Sequence, residues 1–270
     1  MNFPPETYIR VSHQAMQAFV AEAGRAAGLP LDRAGLLAEL LVANDLRGVF
    51  SHGTRQIATY ARLIRDGRLN AQPQVETVRE TAVSLLVDGD GGLGYFPAHQ
   101  GTLALIDKAL AQGIAVLLTR NHGHFGAAGL YSRLTLVHDL LCFVTSGHQL
   151  SLGAGQPVYA AAGGSPMSFS APAGSEDALV LDFGAMHDLY SNSPHRDEIA
   201  RLAPGIVFRA IGIGAVCQAW GGLLAGVPID ADRAERDYPG ANQGSLVVAF
   251  RIDLFMTPGQ FKREMDEYVL

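Results

Sequence analysis

The amino-acid sequence predicts an α/β protein, for three reasons. Before residue 73, apolar side chains recur every three or four positions, which is typical of amphipathic helices. From residue 73 onward, short apolar or alternating runs typical of strands are interspersed with helical patterns. One of these strands leads into residues 120–129, a stretch with two histidines and three glycines. We therefore predict an N-terminal helical region over 1–72 and an α/β sheet domain over 73–270, with a small-residue helix over 206–227.

Three helices are predicted in the N-terminal region. The first follows a cap at Ser12, and a Gly-Leu-Pro break separates it from the second, which spans about 32–44. The third spans 56–66 and ends at Gly67, because glycine is common just past a helix terminus.

The rest of the chain alternates between the two kinds of pattern. The segments 151–166 and 193–204 lack a regular pattern, and we expect them to be irregular and exposed, respectively. The other predicted elements are strands at 74–80, 83–88, 113–119, 140–145, 167–171, 178–183 and 245–252, and helices at 97–112, from 130 onward, at 206–227 and at 259–268.

The composition argues against several classes of protein. A net charge of −6 and a pI near 5.8 lack the basic footprint of a nucleic-acid-binding protein and argue against a membrane-surface partner. We recognise no secretory signal and no apolar run of membrane-spanning length, so we expect a cytoplasmic protein. Cys142 and Cys217 lie inside apolar runs and are predicted to be buried free thiols.

Residues 120–129 form the first candidate site. They follow a predicted strand, and ligands in α/β proteins bind where strands end. A histidine there can transfer a proton near neutral pH, and glycines let the backbone approach a ligand. The alternative is a glycine-rich turn whose histidines, His122 and His124, face water. Two histidines in one such loop favour the functional interpretation.

A second candidate lies in the loop 45–55, which is dense in groups that bind anions and move protons. His52 and Arg55 are its main members, and Tyr60 follows on the next helix. An exposed loop histidine and a solvated arginine at a helix end are the alternatives, and the residues alone leave the choice open.

Common ligand-binding motifs are absent from the sequence. Residues 88–94 form neither a P-loop nor a GxGxxG turn, and they lack the carboxylates of a calcium loop. No zinc or iron pattern surrounds His148 or His187, so we expect no metal site. No GxSxG motif indicates a nucleophilic serine.

Taken together, the motifs resemble the malate/L-lactate dehydrogenase family of the non-Rossmann kind. That family includes ureidoglycolate and sulfolactate dehydrogenases and diketogulonate and piperideine-carboxylate reductases. The likeness is nearly continuous over 8–146 and thinner beyond. The motifs that carry it are Asp45-Leu46-Arg47-Gly48, Ser51-His52-Gly53, Tyr60, Gly67, Val87-Asp88-Gly89-Asp90, Gly92-Leu93-Gly94, Lys108-Ala109, Gly113-Ile114-Ala115, and Asn121 with His124-Phe125-Gly126-Ala127-Ala128-Gly129.

The resemblance implies a large mixed β-sheet with flanking helices, a homodimer, and a cleft near the subunit interface. It implies reduction of a small 2-oxo acid or cyclic imino acid with NADH or NADPH, or the reverse oxidation. By position, His124 resembles the family's general acid/base, and Ser51 and His52 join it as catalytic residues. The expected substrate residues are Arg55, Tyr60, Asn121 and His148, and the expected residues for NAD or NADP are Gly126, Asp182 and Arg209.

The chain departs from the family pattern mainly on the cofactor side. Gln56 stands where the family has its substrate arginine, and Arg55 is one residue earlier, about 100° away on a helix. Ile211 replaces a lysine thought to meet the cofactor phosphates. The strand end after Asp182 lacks its serine, the segment that follows is short, and the chain stops soon after Phe261.

Three hypotheses follow from the retained histidines and the altered cofactor side. The first is an NAD(P)-dependent oxidoreductase with His124 as acid/base and Arg55 holding the substrate carboxylate. The second is a cofactor-independent lyase, isomerase, cyclase or hydrolase on the same scaffold. The third is a non-catalytic protein that inherited the fold.

Overall fold

The computed structural model describes residues 6–150, 165–185, 189 and 193–270. The prediction of an irregular segment at 151–166 falls almost wholly outside this part, as do Met186 and His187. Within it, the α/β class and the mixed sheet are confirmed.

One mixed sheet organises the described part of the chain. Its order is β1-β2-β3-β7-β4-β5-β6, with β2 and β3 parallel and every other neighbouring pair antiparallel. All seven predicted strands are present, and most begin or end within a few residues of the predicted bounds. They are β1 (Glu76–Glu80), β2 (Ser84–Asp88), β3 (Ile114–His122), β4 (Leu140–His148), β5 (Pro166–Ala171), β6 (Leu179–Gly184) and β7 (Gln243–Arg251).

The last strand, β7, lies in the middle of the sheet, between β3 and β4. The register pairs Gln243, the first residue of β7, with His122 on one side and His148 on the other. The carboxyl ends of β3 and β4 therefore meet at one edge of the sheet, which is where ligands bind in many α/β proteins.

Three helices precede the sheet, as predicted: α1 (His13–Ala26), α2 (Leu31–Leu46) and α3 (Ile57–Arg65). The Ser12 side chain accepts a hydrogen bond from the backbone N–H of Ala15 and caps α1. A single apolar cluster joins residues of these helices, such as Leu37, to strand residues such as Leu117. The division into two regions at residue 73 stays a prediction.

The remaining helices are α4 (Tyr95–Gln112), α5 (Gly129–Leu134), α6 (Arg196–Leu202), α7 (Pro204–Gln218) and α8 (Pro258–Val269). The sequence did not predict α6, because its two short turns carry too few apolar residues for a periodic signal. Two carboxylates in its first turn, Asp197 and Glu198, favour a helix start electrostatically.

The helix predicted over 206–227 begins earlier and ends sooner than expected: α7 begins at Pro204 and passes into a π-helical turn at Ala219–Leu223. Glycine is required in that turn. A Cβ at Gly221 would come within 2.6 Å of the backbone of Ser146 on β4.

The helical stretch Pro204–Leu223 corrects one prediction. An 18-residue window of this 20-residue stretch has a mean hydropathy of 1.4, so by length and composition it could span a membrane, whereas we expected no apolar run of that length. A single helix of this kind is weak evidence for a membrane span, because core helices of soluble proteins pass the same test. In this helix 28% of the window is buried, and Phe208 is 79% exposed.

Both cysteine thiols are buried and unpaired within the described residues, as predicted. Burial raises the pKa of Cys142 to about 12, and it also raises the pKa of Cys217. Thiols held in the protonated form react slowly, so we read both as packing residues.

Candidate active site

A cavity of about 760 Å³ lies at the edge where β3 and β4 end, and we call it the main cavity. Its volume is within the range of small-molecule sites. Catalytic candidates from two distant segments meet on its wall, Ser51 and His52 from one and His124 from the other. Other lining residues are Arg47, Gly126–Gly129, Arg133, Ser146, His148, Asp182 and Gln243.

His124 is held by a short chain of tyrosine hydroxyls. Nδ1 of His124 lies 2.7 Å from the Tyr60 hydroxyl, which lies 3.1 Å from the Tyr95 hydroxyl. Both tyrosines are almost fully buried, so each O–H requires an acceptor. One assignment satisfies both: Tyr95 donates to Tyr60, and Tyr60 donates to Nδ1. The proton of neutral His124 then resides on Nε2.

Glycine at position 126 leaves room for this chain of hydroxyls. Gly126 has φ +84°, in the left-handed region that favours glycine. A Cβ at this position would come within 2.5 Å of the Tyr95 ring and 2.6 Å of its hydroxyl. The glycine in the family motif therefore has a steric explanation in this chain.

The surroundings of His124 favour its neutral form. Burial, then the positive charges that His52 and His122 would carry, lower the pKa of His124 to about 3. The ring centroids of His52 and His124 are 5.2 Å apart, and the Ser51 hydroxyl lies 2.8 Å from Nδ1 of His52. The predicted catalytic residues are thus brought together.

The loop that carries His52 is anchored to α2. Asn44 donates to the carbonyl of His52 at 2.9 Å, and Asp45 accepts from the backbone N–H of Thr54 at 3.1 Å. A Cβ at Gly53 would lie 1.6 Å from the Asp45 carboxylate, so this close approach requires glycine. These contacts explain why the Asp45 and Ser51-His52-Gly53 motifs occur together.

Arg55 lies outside the main cavity. It is exposed, whereas its neighbour Gln56 turns inward and donates from its side chain to the carbonyl of Ser51 at 2.6 Å. The arginines that line the cavity are Arg47 and Arg133. Sequence reasoning quoted Arg47 only as part of a motif and did not single out Arg133. The available signal was the position of Arg133 on the helix that opens after the histidine loop.

Asp182 and His148 complete the wall of the cavity. The backbone N–H of Gly129 donates to Asp182, and burial raises the pKa of this carboxyl against the opposing effects of that bond and of Arg133. The Gln218 amide pairs with the backbone of His148 at both N–H (3.1 Å) and carbonyl (2.8 Å). Burial lowers the pKa of His148.

Two predicted site residues lie elsewhere. Asn121 has φ +52°, donates to Asp88 at 2.8 Å and lines a separate cavity of about 280 Å³. Arg209 is exposed on α7 and lines neither cavity. Tyr60 reaches the main cavity through His124 rather than by lining it.

Comparison with known proteins finds dehydrogenases among the relatives of this chain. A malate dehydrogenase from Pyrococcus horikoshii is 30% identical over 182 residues, covering 65% of this chain but 49% of that protein. The chain thus matches about half the length of this relative. Ureidoglycolate dehydrogenase (NAD(+)) from Escherichia coli O157:H7 is 24% identical over 289 aligned residues, covering 96% of this chain and 82% of that protein.

The likeness extends to the fold. The structure of the P. horikoshii OT3 malate dehydrogenase superposes with a TM-score of 0.79 at 22% identity, covering 98% of this chain and 82% of that one. This confirms the predicted non-Rossmann architecture. The family model for malate/L-lactate dehydrogenases matches residues 11–186, well over half of the sequence. The chain belongs to the malate/L-lactate dehydrogenase family.

Proposed function

We propose that this chain is an NAD- or NADP-dependent oxidoreductase that reduces a small 2-oxo acid or cyclic imino acid, or catalyses the reverse oxidation. The relatives are named dehydrogenases, one of them with NAD(+), which favours this reaction over cofactor-independent chemistry. The observation that carries the proposal is the placement of His124 on the cavity wall with its Nδ1 held by Tyr60.

In the proposed reaction His124 handles the proton. Hydride addition to a carbonyl carbon leaves negative charge on the oxygen, and a bound nicotinamide supplies that hydride. In reduction the charged His124 ring, with protons on both nitrogens, gives its Nε2 proton to the oxygen and is left neutral with the proton on Nδ1. In oxidation this neutral form accepts a proton at Nε2. The Tyr60 hydroxyl accommodates both states of the ring, because it can donate to a bare Nδ1 or accept from Nδ1–H.

The low pKa of His124 fits a group that is charged only with substrate present. A substrate carboxylate and a developing alkoxide add negative charge beside the ring. Both effects raise the pKa of His124 from about 3 toward the working pH. Proton transfer is then coupled to binding.

The size of the main cavity supports a nicotinamide cofactor, because its volume of about 760 Å³ is within the range of small-molecule sites. We propose that Gly126 and Asp182 contact the cofactor. Arg209 lies outside the cavity, so the cofactor proposal rests on the first two residues.

Two further histidines contribute to the proposed substrate site. His52, paired with the Ser51 hydroxyl, is placed beside His124 to orient the substrate carbonyl. His148 lines the same cavity and is fixed through its backbone by Gln218. Asn121 is engaged with Asp88, so its part is to shape the turn that supports the histidine loop.

We also propose a cytoplasmic homodimer, and the surface of α6 and α7 supports the dimer. Several large apolar side chains are exposed there and in the π-helical turn that follows, and exposed apolar surface often marks an interface. They are Leu202, Ile206, Phe208, Ile213, Val216 and, in the turn, Trp220.

Cofactor titration followed by a substrate panel tests the proposed function. We expect calorimetry to detect NADH or NADPH binding in the micromolar range, about −8 kcal/mol. Turnover is then followed by nicotinamide absorbance with 2-oxo acids and cyclic imino acids. His124→Asn is expected to lower kcat by about 100-fold or more and to retain cofactor binding. The matched control is His138→Asn at an exposed position. Absence of both cofactor binding and turnover would sink the proposal.

A further inference from the structure

We propose that Arg133, assisted by Arg47, is the anion-binding residue of the main cavity and holds the carboxylate of the substrate. We call Arg133 the receptor. This inference rests on the proposed function for the identity of the ligand. It assigns to α5 a task that the sequence had suggested for Arg55, in the turn that precedes α3.

Arg133 is placed for this task by the histidine loop. α5 begins at Gly129, directly after the loop that carries His124, and Arg133 lies in its last turn. Its side chain is half-buried and lines the cavity together with His124 and His148. The loop and the helix therefore bring the His124 ring and the Arg133 guanidinium to the same cavity.

The two arginines carry charge that the protein does not neutralise directly. Within the described residues neither Arg47 nor Arg133 forms a salt bridge. They are also close enough for Arg133 to lower the pKa of Arg47, in addition to the effect of burial. Two like charges facing one cavity are unfavourable unless an anion joins them.

Asp182 does not fill that role within the protein. It lines the same cavity, but the hydrogen bond it accepts comes from the backbone N–H of Gly129; burial raises its pKa and outweighs the lowering effect of Arg133. Among the lining residues that the structure describes, Asp182 offsets one of the two arginine charges, so a net positive charge remains. A planar guanidinium is suited to bidentate binding of a carboxylate.

Binding of two anions tests the receptor independently of turnover. Oxalate represents the carboxylate source, and inorganic pyrophosphate represents the cofactor phosphates. Each is titrated by calorimetry into wild type, Arg133→Gln, Arg133→Lys and Arg55→Gln, with thermal unfolding to verify folding. Arg55→Gln is the matched control, because it removes an exposed arginine that does not line the cavity.

We expect Arg133→Gln to weaken oxalate binding by about tenfold to hundredfold, as for loss of a charge-assisted hydrogen bond. Arg133→Lys should recover part of that loss, and Arg55→Gln should bind as wild type. In turnover assays Arg133→Gln should raise KM far more than it lowers kcat.

Oxalate binding that depends on Arg133 supports the receptor even if no dehydrogenase activity is found, so the two proposals fail separately. Oxalate binding unchanged by Arg133→Gln would overturn the assignment, and loss of pyrophosphate binding alone would transfer the receptor to the cofactor.

Discussion

The Tyr60 hydroxyl lies 2.7 Å from Nδ1 of His124, although 64 residues separate them in the sequence. This contact fixes the ring of the proposed acid/base from the side opposite to the nitrogen that would meet substrate. The Tyr95 hydroxyl lies 3.1 Å from that of Tyr60 and helps to fix the position of Tyr60. The orientation of His124 therefore depends on residues from α3 and α4 as well as on its own loop.

Removal of the Tyr60 hydroxyl should impair catalysis more than substrate binding. In Tyr60→Phe, Nδ1 of His124 loses its partner, so the ring loses its fixed orientation and tautomer. We expect kcat to fall by about tenfold or more, corresponding to roughly 1.4 kcal/mol, with a changed pH–rate profile and little change in KM. Tyr8→Phe, at an exposed position, is the control. An unchanged kcat and pH profile in Tyr60→Phe would show that the contact has no part in turnover.

Gly126→Ala should disturb both stability and activity. The new methyl group would be forced into the Tyr95 ring while the backbone holds φ +84°. We expect a loss of about 2 kcal/mol or more in the free energy of unfolding, together with lower kcat, because Tyr95 must shift away from Tyr60. The measurements are denaturant unfolding and turnover.

Gly67→Ala provides the matched comparison. Gly67 also has a positive φ, +67°, but no atom lies within 4 Å of its hypothetical Cβ. We expect the free energy of unfolding to fall by only about 1 kcal/mol, from backbone strain, and kcat to be unchanged. Equal effects in the two variants would contradict the steric explanation for Gly126.

Stability should decrease with acid below pH 6.5. His122 is fully buried, and burial lowers its pKa to about 4, against an ordinary value of 6.5. The unfolded chain therefore binds a proton that the folded protein excludes, so stability is complete above pH 6.5 and is lost as the pH falls toward 4. The slope is up to about 1.4 kcal/mol per pH unit for each such histidine. His124 acts in the same direction.

Denaturant unfolding between pH 7 and pH 4 measures this slope. His122→Gln should lower the slope by up to about 1.4 kcal/mol per pH unit and leave the contribution of His124, whatever the variant does to stability at pH 7. His138→Gln, at an exposed site, should leave the slope as in wild type. An undiminished slope in His122→Gln would assign the effect to other groups.

Phe208→Asp should dissociate the proposed dimer. Phe208 is 79% exposed on α7, within the apolar set that supports the dimer. A carboxylate buried in an apolar interface carries a desolvation cost without a partner, so association weakens. Sedimentation analysis should show a dimer for wild type and a monomer for the variant. Val137→Asp, 83% exposed outside that set, should remain dimeric. A monomeric wild type would reject the dimer itself.

Local periodicity was sufficient to predict most elements of the fold. The apolar run before residue 120 becomes β3, and the Ser12 cap starts α1. Sequence could not reveal that β7 pairs with β3 and β4, because pairing over such separations leaves no local pattern. The helix α6 was missed because its seven residues are too few for apolar positions to recur over several turns.

The candidate site was predictable where single residues determine it and not where several segments meet. His52 and His124 stand out as histidines in glycine-containing loops, and both line the main cavity. The meeting of Arg47 with Arg133 at one cavity depends on how the end of α2 and α5 are positioned in the fold, which spacing does not reveal. The displacement of arginine from position 56 to 55 did indicate a different direction, and Arg55 is indeed exposed.

The central position of β7 has a consequence for synthesis of the protein. Its partners on β3 and β4 are translated about a hundred residues or more earlier. The backbone groups of both strands that pair with β7 therefore stay unpaired until β7 leaves the ribosome. Such long-range pairing makes folding slow and leaves the growing chain prone to association. Chaperone demand should therefore be highest for nascent chains that have passed β4 but still lack β7, and a truncation before Gln243 should aggregate rather than fold.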